Sequence, residues 1–570
     1  MTTRLRSARW VIVALVAIYA VMHVAAIWTE SINWDEFALL WRAEKAASTG
    51  ILIGGGRPGL GVALLAPFVD GCDSTIDVVH HTRLLWSVFT FAIFAGTFWF
   101  VRMAARRSPL ASFDAVLGLA AFMLLPVMMR WSLQVRTDQP AVAFAIWGGV
   151  ALLASRRRPA IAVVAGFAIG VGYLFSQKAV YVTGLVAIVA AGDLFIDREL
   201  QLRRLAIRGA CLLVGGALAI TGYRILIAVA FSTPPGSDSL ERGLDLFRWY
   251  RHIVGYRVYR GMLPTLWPHI TLLGLVVFGL ARASRNGGAP LRVSAVAVCA
   301  LVAGVAVALF HAAAFPYFTI TLGVFAATAI GLGWSSVREL APRGARYLGA
   351  AAVALLVARA VSYRIELTHD TQAVQRTTLE LADSLPRNLR GFHPDGALVC
   401  RSDPSPFPVY LREVVETQFS AKNRDANSAA LLAEFRARPV AFVVRTHRFL
   451  QFPPLIQTFW STHYLPYAGT VDLAGQRVIG EASSTHALDI LVAGDYRWLP
   501  RTSERLVIGS RTLAANDTIA LDAGIRSATL VDAGRGELVL AIDASRAPAR
   551  EAFFADPPLA EISGTRSDWW

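Results

Sequence analysis

Apolar runs of similar length, separated by short arginine-bearing connections, fill the chain as far as residue 362; beyond that point the pattern changes to short alternating stretches. A hydrocarbon core about 30 Å thick is crossed by roughly 20 helical residues. Runs over 10–28, 83–101, 115–129, 141–153, 160–174, 180–195, 210–231, 263–280, 294–310, 317–334 and 347–361 therefore predict eleven crossings. The connections carrying Arg102, Arg106 and Arg107, Arg156–Arg158, Arg198, Arg203 and Arg204, Arg282, Arg285 and Arg292, and Arg338, Arg343 and Arg346 all fall on one side in this scheme. The positive-inside rule makes that side cytoplasmic. The N-terminus is then inside and the C-terminus outside, in a multi-pass plasma or inner membrane protein. Arg4, Arg6 and Arg9 before the first run also fit a signal peptide. The run is long, is flanked by Trp10 and Trp28 and lacks a small-x-small cleavage site, so it is read as an uncleaved helix.

Two connections on the far side are long. In the first, residues 29–81, the 37–48 stretch has apolar residues at helical spacing and reads as a helix lying on the membrane surface. Gly54-Gly55-Gly56-Arg57-Pro58-Gly59 follows and cannot continue a helix. The second covers residues 232–262. After 362, apolar stretches at 398–400 and 440–445 read as buried strands with a helix over 427–437 between them, a small α/β unit reaching residue 470. From 471 the runs 487–492, 505–508, 528–531 and 537–542, with turns at Gly494, Gly509, Gly524 and Gly534, read as a β-rich module. The expected organisation is a membrane domain over 1–362, an extracytoplasmic α/β domain over 363–470 and a β-rich module over 471–570.

Composition sharpens this picture. The 570 residues are 55% hydrophobic and only 17% charged, more apolar and less charged than an average soluble domain. The net charge of +15 would suit nucleic acid, but its place in short connections is that of topology signals, so no nucleic-acid partner is expected. Of four cysteines, Cys211 and Cys299 lie in apolar runs. Cys72 and Cys400 are the pair that topology leaves on one non-cytoplasmic side, and spacing alone does not decide whether they are joined. No CxxC or His/Cys cluster marks a zinc site.

Polar groups out of place carry the candidate chemistry. Asp35 and Glu36 follow the first helix between Trp34 and Phe37. The plain reading is a solvated helix end; the chemical one is a carboxylate that takes a proton from an attacking hydroxyl or helps hold a divalent cation. Asp138, before Pro140, reads either as a helix cap or as a second acid facing the same cavity. Asp35 and Asp138 together are the candidate ligands for such a cation, Mg or Mn. Lys178 is one of only three lysines, with Lys45 and Lys422, in an arginine-rich chain. It is either a snorkelling interfacial lysine or a point charge for a phosphate, with Arg57 as a second phosphate ligand. Tyr256, Arg257 and Arg260 in the second long loop are candidate donor or acceptor contacts, against the reading of an aromatic belt. His311, near Pro316 on the same face, is a further candidate.

These residues, in this order and on one membrane face, resemble the GT-C glycosyltransferases that use polyprenyl-phosphate sugars, and within them the protein mannosyltransferase and lipid A aminoarabinose transferase branch (family 39-type). The resemblance spans residues 10–470. It rests on Asp35-Glu36, Arg57-Pro58, Asp138, Lys178, the Tyr/Arg loop before Leu263-Pro264-Thr265-Leu266-Trp267-Pro268, and the soluble segment from Arg436 to Val444. It departs from the aminoarabinose transferases at Arg57, which sits in a glycine-rich turn where they carry a Glu-Lys-Pro-Pro segment. The resemblance implies a GT-C fold and a sugar–polyprenyl phosphate donor held near Lys178 and Arg57. It further implies a lipid, glycan or protein acceptor whose hydroxyl is deprotonated by Asp35, with Glu36 or Asp138 assisting, and inversion at the anomeric carbon. Two other classes compete: a transporter or flippase of lipid-linked saccharide, which should show internal repeats and broken helices near the bilayer midplane, and a non-catalytic envelope polysaccharide assembly protein.

Overall fold

The computed structural model describes residues 2–52, 59–106, 108, 110–197, 202–231, 263–285, 291–310, 318–341, 344–366, 372–394, 396–401, 419–445 and 447–542. Its first part is built from α1 (Thr2–Ile27), α2 (Trp34–Thr49), α3 (Leu60–Val69), α4 (Thr75–Ala104), α5 (Ala111–Met123), α6 (Pro126–Trp131), α7 (Asp138–Ala154), α8 (Ile161–Phe175), α9 (Ala179–Asp197), α10 (Leu202–Ala230), α11 (Trp267–Arg285), α12 (Leu291–Phe310), α13 (Thr319–Leu340) and α14 (Gly344–Glu366). A helix stands at each of the eleven apolar runs. Among the described residues, six are long and apolar enough to cross a membrane: α1 over Trp10–Ile27, α4, α10, α11, α13 and α14 over Gly344–Ile365. The apolar helices α5, α7, α8, α9 and α12 offer shorter stretches; the 13 residues of α5 rise only about 20 Å, less than a bilayer core. The chain is a many-helix membrane protein.

Helix contacts in this part rest on small side chains. Where α8 crosses α10, a Cβ on Gly166 would collide with the Leu212 carbonyl and one on Gly215 with the Val163 carbonyl, so backbone meets backbone there. Within lipid, such close van der Waals approach is what holds helices together.

The structure redraws the first long connection. It contains two helices, α2 and α3, and the run read as 83–101 begins at Thr75, so Arg83 lies about two turns inside α4. The 37–48 helix exists within α2, and its apolar face packs into the protein. Phe37, Leu39, Leu40, Ala43 and Ala46 are buried in a core shared with α3, the start of α4 and the soluble region. Two apolar faces meeting remove more surface from water than either leaves against the headgroups.

The soluble region adds α15 (Ala373–Ser384), α16 (Arg424–Ala437) and α17 (Pro454–His463) to eleven strands. These are β1 (Gly391–Phe392), β2 (Phe442–Val444), β3 (Tyr464–Ala468), β4 (Val471–Gly480), β5 (Ser484–Ile490), β6 (Gly494–Pro500), β7 (Leu506–Ile508), β8 (Arg511–Leu513), β9 (Thr518–Leu521), β10 (Gly524–Leu530) and β11 (Gly534–Leu540). One sheet has the order β1-β2-β4-β11-β6-β9, with β3 also paired to β4; the other is β5-β10-β7-β8. Only β1 and β2 run parallel among the described pairs. The first sheet takes strands from both sides of residue 470, so the two soluble parts read separately from the sequence share one sheet. Gly509, Gly524 and Gly534 do turn the chain at positive φ. The strand expected at 398–400 is absent: Leu398 and Val399 are buried, but the segment turns back to Cys400 and Arg401. The Arg401 guanidinium takes the carbonyls of Ala382, Asp383 and Leu385 at the end of α15. Burial without a sheet partner imitates a strand in the sequence.

Docking of the soluble region is covalent as well as apolar. Cys72, before α4, is joined to Cys400 across a sequence separation of 328. Replacing either cysteine by serine is expected to cost about 2–4 kcal/mol, read as a lower thermal midpoint of the purified protein without reductant and matched by wild type with reductant. Asp383 accepts the Thr75 amide at 2.8 Å, a free N–H of the first turn of α4. Burial pushes its carboxyl up to about 6, against the Thr75 hydrogen bond that lowers it. A raised folded pKa means that the folded state holds the proton longer. The contribution is therefore fully present below the ordinary value near 3.8 and is lost as pH rises through about 6. Asp383→Asn should flatten the stability profile between those limits, where one group can add a slope of at most about 1.4 kcal/mol per pH unit. Unfolding of wild type and variant across pH 4–7 measures it.

Candidate active site

The site begins with the entry to α2. Asn33 caps that helix: its side chain accepts the Asp35 amide at 2.9 Å, and its own amide donates to Glu36 Oε1 at 2.9 Å. This reciprocal box fixes which way the two acids point. Glu36 turns inward and is fully buried. Its Oε1 also accepts from Arg83 Nη2 at 2.8 Å, and its Oε2 from Arg83 Nε at 2.9 Å and the Val135 amide at 3.0 Å. Arg83 gives its remaining hydrogens to the carbonyls of Ile27, Glu30 and Ser31 at 2.9–3.1 Å. All five guanidinium hydrogens are used, and the knot ties the end of α1, the start of α2, the first third of α4 and the loop before α7. The expectation that Glu36 assists as an acid or base is corrected on this geometry, because its carboxylate accepts four hydrogen bonds within the protein and meets no solvent.

Asp35 points the other way and is 19% exposed. It is in contact with Arg136, whose Nε lies 3.6 Å from Asp138 Oδ2. Lys178 Nζ lies 3.2 Å from Asp138 Oδ1, and Ser176 Oγ donates to the same oxygen at 3.3 Å. Asp138 is the first residue of α7, but Thr137 occupies the cap position and makes no side-chain cap bond. The acid is therefore turned to Lys178 and Arg136 rather than to its own helix end. Lys178 stands where α8 stops, at an extended Ser176, before α9 begins. Three of the residues singled out from the sequence thus meet in one line of alternating charge, Asp35–Arg136–Asp138–Lys178, drawn from three separate stretches. Its outer members are the open ones, with Lys178 20% exposed.

The loop that supplies Arg136 is rigidly held. Trp86 Nε1 donates to the Arg136 carbonyl at 2.6 Å, Thr90 Oγ1 to that of Ser132 at 3.0 Å, and Gln139 Nε2 to that of Gln134 at 2.6 Å. Gly61 of α3 comes so close to Thr137 that a Cβ there would lie 2.8 Å from its methyl. The soluble region holds the other side. Gln375 of α15 accepts the Ile32 amide at 2.6 Å and donates to the Ile32 carbonyl at 2.8 Å, three residues before Asp35. Arg57, Tyr256, Arg257, Arg260 and His311 lie outside the described residues. Arg83 and Arg136 were missed from the sequence. Arg83 opens the apolar run at 83–101 and so passes for a helix boundary; for Arg136, a cation two residues from a candidate acid was the available signal.

Asp35 and Asp138 do not fit a divalent cation. Both carboxylates converge on the Arg136 guanidinium, so an ion bridging them would be set against a buried positive charge. Among the described residues no group of three or more His, Cys, Asp and Glu side chains is gathered to hold a metal.

At the opposite end of the helices, Arg338 closing α13 pairs with Asp114 at 2.8 Å, and Arg208 donates to the Leu152 carbonyl at 2.9 Å. The alternating charges and the soluble region therefore share one end of the bundle, and basic helix ends the other.

Compared with solved structures, the fold is similar to that of ArnT from Cupriavidus metallidurans in the apo state, with a TM-score of 0.50 at 12% identity over 82% of this chain and 98% of that one. The same ArnT bound to undecaprenyl phosphate gives 0.48 at 12% identity over 74% and 88%. The apo oligosaccharyltransferase of Archaeoglobus fulgidus gives 0.41 at 10% identity over 91% and 94%. No protein-family model and no curated protein matches the sequence. The fold is GT-C-like.

Proposed function

We propose that the chain is an integral-membrane glycosyltransferase that moves a sugar from a polyprenyl phosphate to a hydroxyl acceptor, with inversion. The observation that carries this reading is the convergence of Asp35, Asp138 and Lys178, from three distant stretches, on one partly open site at the end of a GT-C-like helix bundle. Asp35 is the group placed to take the acceptor proton: it is the exposed acid and is fixed by its backbone. The acceptor oxygen then bonds to the anomeric carbon as the carbon–oxygen bond to phosphate breaks. The phosphate leaves with the bonding pair, and Lys178 faces the charge that builds there. Glu36 takes no part in the chemistry; with Arg83 it holds together the segments that carry the site. Grouping of polar residues at one end of the bundle favours an enzyme over a transporter, whose site belongs near the midplane.

The face assignment follows from two features. Arginines close the helices at the end away from the site, and the Cys72–Cys400 bond suits an oxidising compartment. Both support a site and a soluble region outside the cytoplasm. The test is transfer by the purified full chain in lipid nanodiscs, supplied with a panel of polyprenyl-phosphate sugars and hydroxyl acceptors. Release of polyprenyl phosphate with a glycosylated product is expected. A panel that yields neither, with protein that remains folded, overturns the reading.

A further inference from the structure

We propose that Arg136 is an exchangeable cation, paired with Asp35 before reaction and with the donor's phosphate as the sugar leaves. The proposal rests on the glycosyltransferase reading and deepens it. In the structure Arg136 lies between two acids and is only 5% exposed, with Lys178 on the far side of Asp138. Its carbonyl is fixed by Trp86 and the amide of its neighbour Val135 by Glu36, so the guanidinium can change partner while the backbone stays.

Counting charge through the reaction gives the reason for a change. Before transfer, Asp35 and Asp138 each carry one negative charge and the donor, a phosphodiester, carries one. Arg136 and Lys178 supply two positive charges. During transfer the acceptor proton goes to Asp35, which becomes neutral. The bond to the anomeric carbon breaks with its electron pair on oxygen, and the phosphate becomes a monoester with up to two negative charges. Total charge is unchanged, but one negative charge has moved from Asp35 to the phosphate. The cation beside Asp35 loses one of its two acids at the moment the phosphate gains need of a cation, and a guanidinium bonds phosphate through two parallel N–H groups. Beside a guanidinium only 5% exposed, a cation that follows the charge lowers the cost of moving it.

The experiment measures binding of undecaprenyl phosphate, the lipid bound by the ArnT of Cupriavidus metallidurans, to the full chain in nanodiscs. Removing the competing carboxylate by Asp35→Asn should tighten binding about tenfold, the scale of one hydrogen bond to a charged group. Arg136→Gln should weaken it by about the same factor. Simple repulsion by Asp35 would also tighten binding in the first variant, and the double variant separates the two. With exchange, Asp35→Asn has no effect once Arg136 is gone; with repulsion alone the tightening persists. Arg136→Lys, which keeps the charge but not the paired hydrogen bonds, should fall between wild type and Arg136→Gln, and it serves if the glutamine variant does not fold. Inorganic phosphate should give the same order of variants more weakly, and undecaprenol none. Tightening that survives in the double variant, unchanged binding by Asp35→Asn, or the same order of variants with undecaprenol overturns the exchange. A wild-type chain that does not bind the lipid phosphate at all overturns the glycosyltransferase reading, and the exchange with it.

Discussion

Asp35→Asn is expected to lower kcat for sugar transfer by about 10²–10⁴-fold, the range in which a positioned base acts, with little change in the thermal midpoint. The separation of the two effects follows from the local structure. The backbone of residue 35 is held by the Asn33 side chain, a bond that asparagine at 35 keeps. Its carboxylate is partly exposed, and Arg136 keeps Asp138 beside it when residue 35 is neutral. The replacement has nearly the same shape and cannot accept the proton. Single-turnover transfer in nanodiscs, beside unfolding of the same preparations, measures both. Activity within a few-fold of wild type would remove Asp35 from the mechanism while leaving the fold untouched. A collapse of stability would instead make the aspartate structural.

The opposite profile is expected one residue along. Glu36→Gln and Arg83→Met should each cost about 3–5 kcal/mol, because either leaves a buried charge without its counter-ion. For a membrane protein this is read as lost yield and a strongly lowered midpoint, and activity falls only with the folded fraction. The double variant Glu36→Leu, Arg83→Met removes both charges and should recover part of the loss. Recovery stays incomplete, since the carbonyls of Ile27, Glu30 and Ser31 and the Val135 amide lose partners, at about 1–3 kcal/mol for each group left buried and unsatisfied. Wild-type stability in Arg83→Met would show that the knot does not hold these four segments together.

Much of this was legible from the chain. The eleven apolar runs each became a helix, and Asp35, Asp138 and Lys178 stood out because a charge beside membrane helices needs a reason. The role of Glu36 was not legible, because adjacent acids look alike until a capping box turns one inward. Arg83 was hidden by the rule that makes arginine mark the ends of membrane helices; the helix starts at Thr75, and that rule cannot see an arginine paired inside it. Residues 398–400 have the apolar run of a strand, and only the guanidinium of Arg401 and the bond at Cys400 show that they fold back. Cys72 and Cys400 shared a compartment on paper, yet proximity of residues 328 apart is a property of the assembled molecule.

The grip of Gln375 on Ile32 joins residues 343 apart in sequence. A chain made from its N-terminus exposes Asp35 early, while the side chain that steadies its approach is made only after the last membrane helix. The site is therefore incomplete throughout synthesis, and its final shape waits on arrival of the soluble region on the same side of the bilayer. A molecule truncated before residue 375 would keep every charge of the Asp35–Lys178 line and still lack the brace on the segment that delivers the first of them.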